Sequence, residues 1–514
     1  MSNSALKPFT KWRGILWPIY SHELTKLLPM SVIKFLIVFI FTILRDAKDT
    51  LIVTSAGSGA EAIPVLKGWI VLPAAFLTML IYSRLSDKVN KDALFYLTVV
   101  SFLLFFALYG FLLYPFRAIL CPHSSADYLT SILGKEREHW VSVYRYWMNS
   151  LFFVASELWG GMAIGLLFWG FANQITSISE AKRFYTIFSA AGDLAVIIAG
   201  PLICYYSKTT SEMDFEWTLK ILMSYVLVLG VFIIAIYYFF NAYVLKSTCL
   251  YASDGCKDTK NKYSFIKSLK YLAKSRYLYS LAFMTIGYGL VFNLVEVTWK
   301  AALKLQCPDP HDYQSFMGIT SFATGLVSLV VTLFIGGNVI RKCGWFFTAQ
   351  LTPIITGFTG LLFLYIYLIQ NAFDKILNFA GLTPLMFVVL LGALHNVLGK
   401  TSKFSFFDTT KEMAFIPLDK ELKVKGKAAV DVVAARLGKS GSSWIQVVLI
   451  EFIGSGSILG VVHCLTPFVF LTTFFWIYAI RFVNKEFHFL NEQRVKKEDE
   501  KTLNLTKNKS RKSA

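Results

Sequence analysis

Residues 30–53, MSVIKFLIVFIFTILRDAKDTLIV, decide the fold class of this chain. The part up to Leu44 is mainly apolar, and a run of about 20 such residues is long enough to cross the hydrocarbon core of a bilayer as a helix. The run continues into Arg45, Asp46, Lys48 and Asp49. The stretch therefore predicts a membrane-spanning helix with a charged cluster in it.

The composition of the whole chain favours the same class. Its 514 residues are 55% hydrophobic and 16% charged, and the mean hydropathy is +0.54. Soluble domains carry roughly 25% charged residues. A soluble protein would have to bury 46 Phe, 25 Tyr and 12 Trp in its cores, whereas a bilayer accepts such side chains on the protein surface. The chain is therefore predicted to be an all-α membrane protein.

About twelve apolar stretches are candidates for membrane spans. They cover 30–53, 65–83, 93–115, 142–172, 184–206, 218–243, 277–301, 315–338, 345–369, 382–402, 430–453 and 459–482. The fourth is long enough to tilt or to extend beyond the membrane. The eleventh has the weakest pattern, because Arg436 and Lys439 interrupt it.

The basic residues predict an orientation for these spans. With both termini inside, the inner segments carry 38 Lys and Arg and the outer loops carry 6. Cytoplasmic loops of membrane proteins have this excess of positive charge, and an odd number of spans would remove the bias. The net charge of +19 is then mainly a property of the cytoplasmic face, which argues against nucleic acid as a partner. We expect a multi-pass inner-membrane protein with both termini cytoplasmic.

The domain organisation follows from the longest internal polar segment, 246–276. It separates a six-helix half, 1–245, from a second six-helix half, 277–482. Two such halves around a basic central loop are typical of the major-facilitator architecture, in which the halves rock about a site at the membrane midplane. The Lys-rich tail 483–514 is predicted to be a disordered cytoplasmic segment, and no removable signal peptide is expected at the N-terminus.

Charged residues inside the spans are costly and mark candidate functional sites. Arg45 and Lys48 share a helical face, and Asp49 lies four residues after Arg45, the spacing of an ion pair. Glu157 in the fourth span has no charged residue within ten positions on its own helix, so it needs a proton or a partner from another helix. The structural alternatives are a salt-bridge cluster at a helix end and an interhelical hydrogen bond.

The second half repeats this pattern. In Asn293–Lys300, Glu296 and Lys300 lie four apart on one face, as a site or as an internal ion pair. A basic run follows from Lys400 to Lys439, part of which is an ordinary inner loop. Its small residues next to cations can admit a phosphate. The candidate cations in this run are Lys403, Lys425, Lys427, Arg436 and Lys439.

An enzymatic function is not indicated. Leu437–Ser440 carries the end of a phosphate-binding loop, but Val433 stands where that motif requires glycine. The seven cysteines form no C-x-x-C pair, and no cluster of metal ligands or catalytic constellation is visible. We therefore expect gradient-driven transport without a cofactor.

The charged stretches resemble a known family. RDAKDTLIVT at 45–54, SELWG at 156–160, FWGFAN at 168–173, EAKRFY at 180–185, NLVEVTWK at 293–300, FDTTKEMA at 407–414 and KGKAAVDVV at 425–433 are similar to the ATP/ADP translocases of obligate intracellular bacteria and plastids, in the style of chlamydia-like members. Ala47 stands where the family usually has Thr. The resemblance implies that Lys48, Glu157, Glu296 and a late lysine (Lys425, Lys427 or Lys439) are important.

The resemblance implies ATP import in exchange for ADP, with nucleotides and the lipid bilayer as partners and a monomer as the working expectation. Two alternatives remain within the transporters: a proton-coupled nucleotide symporter and an NAD/ADP exchanger. An alternative of another class is a membrane receptor that binds nucleotide without transporting it. Lys48 and Arg45 are expected to hold phosphates, because a nucleotide's negative charges must be neutralised in a low-dielectric cavity. Trp159 or Tyr146 is the expected partner of the base.

Overall fold

The computed structural model describes residues 19–176, 178–245, 275–373, 381–415, 417–418, 430, 434–454 and 456–512. All regular structure in these residues is helical. We number the long helices in chain order: α1 Leu24–Val53, α2 Ala62–Lys88, α3 Lys91–Leu113, α4 Trp147–Asn173, α5 Ile178–Thr209, α6 Phe215–Tyr243, α7 Arg276–Gln306, α8 Pro310–Val330, α9 Gly337–Ile369, α10 Pro384–Ala414, α11 Ala435–Ile453 and α12 Val462–Lys512.

The membrane class is confirmed by the helices. Within the described residues, ten are long and apolar enough to cross a membrane. One of them, Pro310–Phe373, has 64 residues and contains both α8 and α9. Its helical geometry is interrupted at Gly344, whose φ of 79° favours glycine. The 19-residue α11 lies outside the ten. It is the stretch that Arg436 and Lys439 interrupt, so the number twelve stays a prediction.

The surface of the helices is apolar where lipid would cover it. Large side chains such as Leu104, Ile198, Phe232, Phe358 and Tyr478 are exposed. A soluble monomer rarely exposes apolar surface on this scale, whereas lipid tails accept it without cost. The exposed positions are therefore consistent with a bilayer around the helices.

Several of the helices begin with an N-cap residue that is recognisable in the sequence. Asp309 caps α8, where its carboxylate accepts a hydrogen bond from the backbone N–H of His311 at 2.8 Å, and Pro310 occupies the first position of the helix. Asp214 caps α6 and Thr383 caps α10 in the same way. These side chains satisfy backbone N–H groups that have no partner within the helix.

The helices pack into two compact units. The first contains the described residues up to 245 and the segment Leu303–Phe334, and the second contains residues 275–302 and the described residues from Ile335 on. In the first unit, α8 packs tightly against α5. A Cβ atom on Gly318 would lie 2.7 Å from the carbonyl oxygen of Gly200, so the two backbones approach closely only because both residues are glycine. The predicted six-helix halves are not tested by this division and stay a prediction.

The C-terminal segment continues the last helix. Helix α12 continues from the apolar part to Lys512. Residues 483–514 contain neither Gly nor Pro and are rich in Lys, Glu and Leu, which are good helix formers. This composition explains why α12 extends beyond its apolar part, and the disordered tail at 483–514 stays a prediction.

Candidate functional site

A charged cluster in the first unit is built on the outer part of α1 in the predicted topology. Lys48 and Asp49 are each 1% exposed, and their side chains form an ion pair with 2.8 Å between Nζ and Oδ1. Arg45 pairs with the fully buried Asp46, at 3.0 Å from Nε to Oδ1. The helix therefore carries its cations into the interior together with carboxylates that neutralise them.

Glu157 joins this cluster from α4. Its Oε1 lies 3.1 Å from Nζ of Lys48, which confirms the prediction that Glu157 finds a partner on another helix. Phe153, one turn before Glu157, places its ring below the same ammonium group, with 3.9 Å from Nζ to the ring centroid. Lys48 is thus held by two carboxylates and one aromatic face, an arrangement that stabilises a cation in a low-dielectric environment.

Helix α8 supplies polar partners for Arg45, Asp46 and Thr50 of α1. Nη2 of Arg45 donates a hydrogen bond to Oγ of Ser321 at 2.8 Å, and Ser321 donates in turn to Asp46 at 2.6 Å. Thr50 donates to the side-chain oxygen of Gln314. The Arg45–Asp46 pair is therefore fixed by a hydroxyl group from a helix that is distant in sequence.

The second unit contains another cluster of charged side chains, which Lys300, Lys400 and Glu296 form. Glu296 lies 3.5 Å from Lys300, which confirms the pair predicted from the spacing on α7. Lys400 of α10 approaches the same carboxylate at 3.6 Å and lies 5.8 Å from the centroid of the Phe292 ring. Two lysines thus share one carboxylate, so this cluster is positive among the groups named here.

Neutral polar groups surround the second cluster. Asn293 donates to the carbonyl oxygen of Gly289 at 2.7 Å, and Gln446 of α11 donates to that of Leu294 at 3.2 Å. The buried ring of His395 stacks on Phe292 with 5.6 Å between the centroids. These contacts fix the part of α7 that carries Glu296.

The described residues thus contain two groups of buried cations with paired carboxylates, on helices of membrane-spanning length. The family model of the TLC ATP/ADP transporters matches residues 2–487. The chain belongs to the TLC ATP/ADP transporter family.

Relatives in this family cover nearly the whole chain. The ADP,ATP carrier protein 1 of Chlamydia trachomatis serovar D is 47% identical over 498 residues, which are 95% of this chain and 93% of the relative. The chloroplastic ADP,ATP carrier protein 1 of Arabidopsis thaliana is 39% identical over 488 residues, which are 94% of this chain and 77% of the relative. The resemblance drawn from the sequence blocks is confirmed.

Solved structures show the fold class of this TLC family chain. The nucleoside transporter NupG (D323A mutant) matches with a TM-score of 0.56 at 12% identity, covering 88% of this chain and 99% of that structure. A bacterial homologue of the iron transporter ferroportin, in an inward-facing state, matches with a TM-score of 0.55 at 14% identity, covering 89% and 100%. At such identities these likenesses show a major-facilitator-like fold and nothing further.

The structure describes three of the five candidate cations in the basic run of the TLC chain, namely Lys403, Arg436 and Lys439. Lys425 and Lys427 lie outside the described residues. Lys439 of α11 is exposed, and Arg436 is half-buried. Lys403 lies 3.0 Å from Asp408 and 4.8 Å from the ring centroid of Phe404. Which late lysine corresponds to the family's important one therefore stays open.

The aromatic residues proposed for the base have different surroundings. The ring of Trp159 is fully buried and lies in edge contact with Phe102 and Phe106, which leaves no face for a ligand. Tyr146 lines a cavity of about 800 Å³ together with Asp127 and Arg145. Its hydroxyl donates to the carbonyl oxygen of Ala56 at 2.8 Å, and burial raises the pKa of this hydroxyl.

Some partners were missed by the sequence reasoning. Phe153 lies four residues before Glu157, so helical spacing alone could have placed both side chains on one face. Lys400 lies in the basic run, but nothing in its sequence position indicates the contact with Glu296. Ser321 carries no signal, because a serine in an apolar helix usually bonds its own backbone.

Proposed function

We propose that the chain is an ATP/ADP antiporter, which imports ATP in exchange for ADP by alternating access. The chlamydial and plastid relatives are named ADP,ATP carriers, and the match extends over nearly their full length in the chlamydial case. The observation that carries the proposal is Lys48, a buried lysine on a membrane helix between Asp49 and Glu157. Such residues persist where they serve a substrate or ion pathway.

The proposed topology has twelve spans in two six-helix halves, in the inner membrane, with both termini cytoplasmic. The excess of Lys and Arg in the segments between alternate spans supports this orientation. The interruption at Gly344 would divide the 64-residue stretch into two spans, and the 19-residue α11 would add one more. With the other nine apolar helices, this is compatible with twelve spans.

The proposed chemistry is an exchange of counter-ions at the lysines. A nucleotide with three or four negative charges must be neutralised before it enters a low-dielectric cavity. In the first cluster, phosphate oxygens would replace carboxylate oxygens on Lys48 and Arg45. In the second cluster, phosphate oxygens would likewise replace the Glu296 oxygen that lies 3.5 Å from Lys300 and 3.6 Å from Lys400. Lysine suits a ligand that must also leave, because its ammonium group is mobile and readily hydrated.

The same pairing gives a reason for obligate exchange. If Glu157 swings away to admit the nucleotide, the phosphate takes its place beside Asp49 as a counter-ion of Lys48. Closing the protein with Glu157 displaced and no phosphate in its place would bury Lys48 with one of its two counter-ions missing, which is costly in a low-dielectric environment. The carrier then changes state with a nucleotide bound and returns with another one.

Uptake of labelled ATP into reconstituted vesicles tests this proposal. We expect uptake with ADP inside the vesicles, little uptake without it, and little effect of a proton uncoupler. Lys48→Gln should reduce uptake more than tenfold, whereas Lys220→Gln, which breaks a partly exposed pair with Glu216, should not change it. Unchanged affinity and rate in Lys48→Gln would remove the phosphate role of this lysine.

One observation favours a second candidate, proton-coupled nucleotide symport. Among the described residues, the carboxylates of Asp46, Asp49 and Glu157 meet at Arg45 and Lys48. Binding a polyanion there is easier if one carboxylate takes up a proton. Uptake that needs no internal ADP and stops with an uncoupler would establish the symporter. Competition by GTP and UTP measures base selectivity, and competition by NAD tests the NAD/ADP exchanger. Binding without flux would indicate a receptor.

A further inference from the structure

Lys34 is a buried cation on α1 that lies outside both clusters. Lys34 is 6% exposed, and its Nζ lies 5.0 Å from the ring centroid of Phe168 and 5.2 Å from that of Trp169. Throughout the part of the chain that the structure describes, no carboxylate oxygen lies within 4.0 Å of this ammonium group and no hydrogen bond to it is formed. The two rings at the end of α4 form its immediate surroundings.

Asp193 of α5 is the carboxylate that acts on Lys34 electrostatically, but it is engaged elsewhere. Its Oδ1 accepts a hydrogen bond from Ser328 of α8 at 3.0 Å. A Cβ atom on the neighbouring Gly192 would lie at an ordinary van der Waals distance of 3.7 Å from Cε of Lys34, so the lysine side chain packs beside α5. The packing thus accommodates the side chain of Lys34 without giving its charge a direct counter-ion.

Lys26 on the same helix shows what a structural lysine looks like here. It is buried to the same degree as Lys34, but its Nζ lies 2.9 Å from Oε2 of Glu180. A buried cation in a membrane helix is stable when it has such a partner and costly when it has none. Lys34 differs in this respect from Lys26, and also from Lys48, which two carboxylates hold.

The helical periodicity places Lys34 in line with the first cluster. Positions 34, 45 and 48 fall within a narrow stripe of α1, because 11 and 14 residues are close to three and four helical turns. The rise per residue separates Lys34 from Arg45 by about 16 Å along the axis. One phosphate group cannot touch both, so Lys34 marks a separate position on the same face of the helix.

We propose that Lys34, flanked by Phe168 and Trp169, is a second phosphate-binding position for the transported nucleotide, on the cytoplasmic side of the Arg45–Lys48 cluster in the proposed topology. The inference rests on the proposed function. An anionic phosphate supplies the counter-ion that the described residues do not provide, and the aromatic faces keep the ammonium group in place while the position is empty. The nucleotide then passes from one cation to the next along a single helix.

The test uses the purified full-length chain and measures its thermal unfolding with increasing ATP, ADP and AMP. The midpoint without nucleotide reports stability, and its increase with nucleotide gives an apparent Kd. For Lys34→Met we expect an unliganded midpoint no lower than that of the wild type, since an uncompensated charge is removed. The apparent Kd for ATP should rise at least tenfold, with a smaller rise for AMP. Lys34→Arg should keep an affinity close to that of the wild type.

Lys26→Met is the matched control. It should lower the unliganded midpoint, because the ion pair between Lys26 and Glu180 is lost, and leave the apparent Kd within twofold of the wild type. If Lys34→Met lowers the unliganded midpoint or leaves the apparent Kd unchanged, the role of Lys34 is refuted, but the proposed function is not. A wild-type chain that binds neither ATP nor ADP would refute the proposed function, and the inference would fall with it.

Discussion

Replacing Glu157 with glutamine removes one of the two carboxylates that hold Lys48. In the structure, Oε1 of Glu157 lies 3.1 Å from Nζ of Lys48, and 20% of the Glu157 side chain is exposed. If the nucleotide competes with this carboxylate for the lysine, Glu157→Gln should bind ATP more tightly than the wild type. The exchange rate should fall at the same time, since the carboxylate no longer displaces the departing phosphate.

The size of the effect follows from the contact. A hydrogen bond to a charged group contributes about 1.5–3 kcal/mol to stability. The partial exposure of Glu157 argues for the lower end, and about 1.4 kcal/mol corresponds to a tenfold change in affinity. We therefore expect the apparent Kd for ATP to fall by up to about tenfold. Lys48 remains paired with Asp49 at 2.8 Å, so the variant should fold.

Two measurements on the same preparation decide the outcome: the nucleotide-dependent unfolding midpoint for affinity, and exchange of labelled ATP in vesicles for rate. Glu216→Gln is the control, because Glu216 pairs with Lys220 and Arg117 at partly exposed positions away from the cluster. Weaker ATP binding in Glu157→Gln, with an unchanged midpoint in the absence of nucleotide, would refute the competition between carboxylate and phosphate. Glu157 would then contact the substrate directly.

The remaining predictions concern the second cluster and the contact between α5 and α8. Lys400→Gln removes one of the two lysines that contact Glu296. We expect the KM for ATP to rise about fivefold, which corresponds to roughly 1 kcal/mol, and the KM for ADP to rise less. An unchanged KM for both nucleotides in vesicle uptake would contradict this prediction. Gly318→Val introduces a side chain where a Cβ atom would already lie 2.7 Å from the carbonyl oxygen of Gly200, so it should destabilise the protein by about 1–3 kcal/mol. Gly170→Ala on α4 is its control, since nothing lies within 4 Å of the added Cβ atom, and equal unfolding midpoints for the two variants would show that the close approach is not needed.

Local patterns in the sequence were sufficient for the membrane class and for part of each cluster. Apolar runs of the length of a bilayer predict spanning helices, because the backbone must satisfy its own hydrogen bonds in lipid. The pair Glu296–Lys300 follows from the spacing of four residues on one helix, and the structure confirms it. The blocks around Lys48, Glu157 and Glu296 led to the family, which the comparison with known carriers confirms.

Contacts between distant segments were decided only by the tertiary structure. The sequence shows that Glu157 needs a partner, but Lys48 becomes that partner because α1 and α4 pack together. Ser321 reaches Arg45 and Asp46 because α8 packs with the first unit, which no spacing rule predicts. In the sequence, Lys34 is a single charge in an apolar run and has no distinguishing pattern. Only the packing shows that Phe168 and Trp169 surround it and that no described residue provides a direct counter-ion. Periodicity determines which residues share a face of a helix, whereas the facing residues depend on the packing of the whole chain.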